Sequence, residues 1–97
     1  MTNKIILNLP NTLTRISGND YGQSVFNNQV KDKISNTEIN EIIFPDTVEG
    51  VGISFVKGLM GTMIDKYGKE KIFDHFTFTS NKDDVVKSIK ESIIYWY

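Results

Sequence analysis

Apolar residues along the chain fall into short runs that predict three strands. A first strand is predicted over Lys4–Leu9 and a second over Glu38–Phe44, whose apolar run between polar ends is typical of a buried central strand. Alternation of apolar and polar residues predicts a half-buried third strand over Ile72–Thr79. The segment Leu13–Ile16 is expected to pair back on the first strand.

Helical spacing of apolar residues predicts a first and a last helix. The first begins at a cap, either Asp20 or Ser24, and runs to about Ser35. The last follows residues 80–83, which resemble a capping box with aspartate in the fourth position. The predicted inner stripe of the last helix consists of Val85, Ile89, Ile93 and Trp96.

A helix between the second and third strands has the widest apolar face. It is predicted from Phe55 to about Tyr67, with Ser54 as the N-cap and Gly68 as the C-terminal stop. A face this wide indicates deep burial. Within the helix, Gly58 and Gly61 each cost about 1 kcal/mol relative to alanine, so close packing should offset them, either on the sheet or against a partner helix.

Strands that alternate with helices predict an α/β fold. We expect residues 1–97 to form one domain, a small mixed sheet of about four strands with three main helices packed on it. The hydrophobic content of 39% is sufficient for a globular core.

Charge and composition narrow the function classes. The net charge of −1 with no basic stripe disfavours a nucleic-acid partner. The chain has no cysteine, which excludes disulfides and thiol chemistry and suits the reducing cytoplasm. No apolar run is long enough for a signal peptide or a membrane span. We therefore expect a cytoplasmic protein without nucleic-acid or membrane partners, and the excess of lysine, asparagine and isoleucine indicates a bacterial or phage gene.

A turn with two glycines joins the central strand to the wide apolar helix. Asp46 ends the strand, Gly50 and Gly52 permit either a tight bend or the close approach of a ligand, and Ser54 opens the helix. A helix N-terminus offers unpaired backbone N–H groups and a positive dipole end. The turn is therefore suited to hold a phosphate or carboxylate or to display Ser54 to a kinase; alternatively, Ser54 is simply an N-cap.

The segment 44–61 resembles the signature of the STAS-like domain family of unknown function. In that family an aspartate-containing strand end leads through a Gly-x-Gly-x-Ser-Phe turn into a helix with a glycine two turns on. The matching residues, in order, are Asp46, Gly50, Gly52, Ser54, Phe55 and Gly61. Residues 22–26 are similar to the family's Gly-acidic-x-x-Phe helix start, with Gln23 in place of the acid, and Lys57-Gly58 stands where the family has an acidic pair.

This resemblance implies a STAS-like, non-enzymatic regulatory module. The better-known relatives are anti-sigma-factor antagonists, in which a partner kinase phosphorylates a serine at the same turn. Ser54 resembles that serine, although Phe55 stands where the relatives have glycine. By resemblance we expect a protein partner, an ATPase or kinase of anti-sigma type, that binds the turn and the following helix around Phe55 and Leu59. The alternatives are a small-ligand or nucleotide sensor at the same turn and a phage-encoded inhibitor of a host defence protein.

Catalytic chemistry has little support in the sequence. Asp46 has no nearby second acid except Glu49, and His75, the only histidine, falls on the polar side of its predicted strand. No nucleophile–base spacing or metal-ligand cluster is present, so we expect no catalytic residues, no metal and no cofactor.

The C-terminal residues Tyr95, Trp96 and Tyr97 form an aromatic cluster. Exposed tyrosine and tryptophan are favoured at protein interfaces, so this cluster is a candidate contact surface. The alternative is that the tail folds back and closes a small core.

Overall fold

Strands and helices alternate along the chain, as the apolar pattern predicts. The computed structural model describes residues 2–96, with Trp96 described by its backbone alone, so the predicted roles of the Trp96 side chain and of Tyr97 lie outside the described residues. The strands are β1 (Thr2–Ile6), β2 (Arg15–Ile16), β3 (Ile39–Ile43), β4 (Gly50–Val51) and β5 (Phe76–Thr79). The helices are α1 (Asn19–Val25), α2 (Ile53–Tyr67), α3 (Ile72–His75) and α4 (Asp83–Trp96).

The strands form two parallel sheets, which confirms the α/β class. One sheet has the order β1-β3-β5, so the predicted central strand is central, and the other consists of β2 and β4. Every pairing is parallel, and neither the mixed sheet nor the count of about four strands is confirmed. The predicted pairing of Leu13–Ile16 with the first strand is wrong. Arg15 and Ile16 pair instead with Gly50 and Val51.

The helices lie on one face of the three-stranded sheet. Parallel crossovers are nearly always right-handed, and two crossovers that advance in the same direction put their helices on the same side. The side chains confirm this arrangement, because Ile5, Ile42, Phe76 and Phe78 point to one face and share a single core with the apolar sides of the helices. Within the described residues, no helix is long and apolar enough to cross a membrane.

Two glycines let α1 and α2 cross in backbone contact. A Cβ added at Gly58 would lie 2.1 Å from the carbonyl oxygen of Asn19, and one added at Gly22 would lie 2.3 Å from that of Phe55. Gly58 therefore packs on α1, not on the sheet as predicted. The cost of a glycine inside α2 is offset by this close crossing.

Helix α1 differs from its predicted form at both ends. Its N-cap is Gly18, at φ 100°, with no side-chain cap, so neither Asp20 nor Ser24 caps it. After Val25 the chain continues through a π-helical turn to Val30 and a 3-10 turn before it extends toward β3.

The predicted strand over Ile72–Thr79 is helical in its first half. Gly68, at φ 90°, ends α2 as predicted, and its carbonyl then accepts hydrogen bonds from the N–H groups of Lys71 and Ile72. These bonds start α3, and extended backbone begins only at Phe76. At the end of α3 the His75 ring stacks on Tyr67, with 3.8 Å between ring centroids.

Candidate functional site

The glycine turn packs against β2. The N–H groups of Glu49 and Gly50 donate to the Thr14 carbonyl, and that of Gly52 donates to Ile16 at 2.8 Å. A Cβ at Gly50 would lie 3.0 Å from an Arg15 guanidinium nitrogen. Positive φ is found at Gly18 and Gly68 among the described glycines, so the turn glycines serve close packing and not a left-handed bend.

Ser54 links the starts of two helices. Helix α2 begins at Ile53 with Gly52 as its N-cap, so the prediction that Ser54 caps this helix is wrong. The Ser54 side chain is exposed, and its Oγ accepts a hydrogen bond from the Gly18 N–H at 3.1 Å. Because Gly18 precedes α1, one hydroxyl joins the N-terminal ends of α1 and α2.

Asp46 links the turn to the start of α4. Its carboxylate accepts a hydrogen bond from the Asn81 side chain at 2.6 Å, and its carbonyl accepts one from the Lys82 ammonium at 2.5 Å. The predicted capping box is wrong, because Ser80 accepts from the Lys82 N–H while Asn81 reaches across to Asp46. Asp46 therefore fixes the turn to a neighbouring element.

Phe55 and Leu59 lie in the core. Phe55 is fully buried and packs near Tyr21, with 5.6 Å between ring centroids, and Leu59 is 1% exposed. A partner on this side of the protein meets other side chains of α2. The exposed side chains of α2 are Ile53, Ser54, Lys57, Thr62, Asp65 and Lys66.

A groove of about 460 Å³ runs between α1 and α2. Its lining is mostly polar and comes from α1, the π-helical turn that follows it and α2. The lining residues are Asn19, Gln23, Phe26, Asn27, Lys57, Gly58, Gly61, Thr62 and Asp65. The side chains of Asn19 and Gln23 are joined by a hydrogen bond of 2.7 Å. Sequence inspection alone misses the groove, because its lining residues come from two separate segments of the chain.

A second cavity, of about 550 Å³, adjoins the β2–β4 side of the turn. Arg15 is its cation, and Glu49 and Asp84 are its acids. Two carboxylates beside one guanidinium disfavour a multiply charged anion, so this cavity gives no support to a phosphate at the turn glycines.

The other candidate residues lie apart from the turn. Tyr95 is 71% exposed near the end of α4, and its neighbour Ile94 is 44% exposed. In the part of the chain that the structure describes, no three His, Asp or Glu side chains are grouped as a metal site requires.

Comparison of the chain with protein-family models, with curated proteins and with solved structures gave no match.

Proposed function

We propose that this protein is a non-enzymatic, cytoplasmic regulatory module of STAS-like type that binds a protein partner through its turn and the exposed side of α2. The observation that carries the proposal is the position of Ser54. Its hydroxyl is exposed in the first turn of a long helix and holds α1 and α2 together at their N-terminal ends. A modification of this hydroxyl acts on both helices.

The residues beside Ser54 suit a protein contact under phosphate control. Ile53 is 39% exposed, which leaves apolar area for a partner next to the hydroxyl. A phosphate on Ser54 would sit near the positive end of the α2 dipole and three residues before Lys57, on the same side of the helix. Phosphorylation would therefore be stabilised by α2 while it replaces the bond to Gly18 and adds negative charge to the contact surface. An ATPase or kinase of anti-sigma type is the partner that this arrangement would suit.

The experiment is a pull-down from bacterial lysate with the wild type and two surface variants. We expect Ile53→Asp and Ser54→Glu to lose the partner, because the first adds charge to the apolar contact and the second imitates the phosphorylated state. Leu13→Asp is the matched control for Ile53→Asp, since Leu13 is 37% exposed and lies away from α2, in the loop between β1 and β2. Leu59 is unsuitable as a test position, because a charge there would unfold the core.

The proposal fails if folded Ile53→Asp and Ser54→Glu retain the wild-type partner. Circular dichroism of each variant establishes the fold. Mass spectrometry of the purified protein after incubation with the captured partner and ATP then tests phosphorylation at Ser54 directly.

A polar small ligand is the second candidate, and the groove between α1 and α2 favours it. Its volume of about 460 Å³ falls within the usual range of ligand sites, and its amides and hydroxyl offer both donors and acceptors. With one lysine and one aspartate, the groove suits a neutral or zwitterionic molecule better than a nucleotide. Thermal-shift screening separates the candidates, since a ligand at one hundred times its Kd adds about 2.7 kcal/mol of stability.

A further inference from the structure

The face of the three-stranded sheet opposite the helices is uncovered. Its side chains come from alternate positions of β1, β3 and β5, and we call them the open face: Thr2, Lys4, Ile6, Ile39, Glu41, Ile43, Thr77 and Thr79. All eight are exposed or half-buried, with Ile6 at 66% and Ile39 at 45% exposure. Parallel sheets are almost always covered on both faces, so this face is unusual for a free molecule.

The open face combines apolar residues with one charge of each sign. Ile6 lies beside Ile43 across the β1–β3 pairing, and two residues earlier Lys4 lies beside Glu41. The Glu41 carboxylate accepts a hydrogen bond from the Thr79 hydroxyl at 2.6 Å, which holds it over the sheet. The face therefore presents an isoleucine pair next to a lysine–glutamate pair at fixed strand positions.

We propose that a second copy of this chain covers the open face, forming a symmetric dimer with the two sheets face to face. In a two-fold dimer every contact occurs twice: if residue i of one copy meets residue j of the other, residue j of the first copy also meets residue i of the second. A two-fold axis that lies between the sheets, parallel to the strands and midway between β1 and β3, puts Lys4 over the partner's Glu41. The same axis puts Ile6 over the partner's Ile43.

Charge complementarity favours a second copy over an unrelated protein. Symmetry supplies two lysine–glutamate contacts and two isoleucine contacts from a single face, whereas another protein needs its own matching arrangement. The balance of one cation and one anion also disfavours a nucleic acid or an anionic membrane.

The size of the face sets the expected strength of the dimer. Strands of about five residues at roughly 3.3 Å each, spaced about 4.8 Å apart, give a patch of roughly 17 by 14 Å. This area is well below the ~800 Å² per partner of standard complexes, so we expect weak association, with a Kd in the micromolar range.

Sedimentation velocity of the full chain from about 10 µM to about 500 µM, a range chosen around micromolar affinity, is the first test. We expect a monomer–dimer equilibrium that Ile6→Lys abolishes. Leu13→Lys, a matched change at an exposed leucine outside the open face, should leave the dimer unchanged, as should Ile53→Asp on α2. A wild type that stays monomeric throughout, or a dimer that survives Ile6→Lys, overturns the proposal.

A charge exchange between two variants tests the contact itself. Lys4→Glu and Glu41→Lys should each be monomeric, because each places like charges opposite one another across the dimer. Mixed in equal amounts, they should form a heterodimer, since every contact then joins opposite charges. Mixing does not change the fold of either variant, so a dimer that forms only in the mixture must come from contacts between the two molecules. A mixture that remains monomeric while the wild type dimerises contradicts the predicted orientation and overturns the proposal.

Discussion

The crossing of α1 and α2 predicts that one added methyl group at Gly58 destabilises the protein. In the Gly58→Ala variant the new Cβ would lie 2.1 Å from the Asn19 carbonyl oxygen and 2.9 Å from the Gln23 nitrogen. Both are backbone atoms, so no side-chain rotation relieves the clash. Ordinary contact begins at 3.4 Å, and the helices must therefore separate by about 1.3 Å (3.4 − 2.1).

Two opposing terms decide the size of the effect. Alanine favours the helix over glycine by about 1 kcal/mol. Overpacking of a close contact costs about 1–3 kcal/mol, and rigid backbone neighbours place this site at the upper end, near 3 kcal/mol. We therefore expect a net loss of about 2 kcal/mol in the free energy of unfolding, which lowers the Tm by roughly 8–16 °C for a domain of this size.

Thermal and urea unfolding followed by circular dichroism measures this loss. Thr62→Ala is the matched control, because Thr62 is exposed on the same helix and alanine there should only add helix propensity. Gly22→Ala probes the other side of the same crossing and should cost less in the Gly58→Ala background, where the helices have already separated. A Gly58→Ala protein as stable as the wild type would refute the close crossing.

Two further predictions concern polar groups in the interior. Asn40 is 1% exposed, and its side chain bonds to the Ser35 backbone and to the His75 carbonyl. Asn40→Leu therefore leaves partly buried backbone groups unpaired and should lower stability by about 3 kcal/mol. A loss below about 1 kcal/mol in urea unfolding would contradict this assignment. The Thr47 hydroxyl is buried and has no hydrogen-bond partner among the described residues, so Thr47→Val should raise stability by about 1 kcal/mol. A lower Tm for this variant would contradict the prediction.

Long periodic segments could be predicted from the sequence. Helix α2 begins two residues before its predicted start and ends at its predicted stop, because about four turns of apolar spacing and a C-terminal glycine act locally. The inner stripe of α4 is also confirmed for Val85, Ile89 and Ile93, which are all buried. These features depend on residues close to one another in sequence.

Short elements depended on contacts between distant segments and could not be predicted. Strands β2 and β4 have two residues each, too few for a periodic pattern, and exist because Arg15 and Ile16 meet Gly50 and Val51 across the fold. A buried central strand was expected, yet the strand buries Asn40 and Ile42 while Ile39 is 45% exposed. The directions of two crossovers determine which face of the sheet the helices cover. No single segment of the chain encodes these directions.

At the candidate site, the position of the turn could be predicted from the sequence, but the contacts of its side chains could not. The glycine turn is where the sequence places it, but the roles of its side chains change because the residues that precede α1 and α4 lie against it. Ser54 bonds to Gly18 instead of capping α2, and Asp46 bonds to Asn81. Phe55 and Leu59, expected at the contact surface, are core residues that hold the exposed part of α2 in place.

The placement of all helices on one side of the sheet links the two proposed surfaces. Ser54 lies at the start of α2, on the helical side, whereas Ile6 and its neighbours lie on the opposite face. A dimer formed through the open face would therefore leave both Ser54 turns accessible and directed outward. Such a dimer would bind two partners, or two sites on one partner. Where the geometry permits both contacts, the second forms within one complex, and its high effective concentration raises the overall affinity. Weak association through a small sheet face would then affect regulation, because the fraction of protein in the bivalent form rises with its concentration.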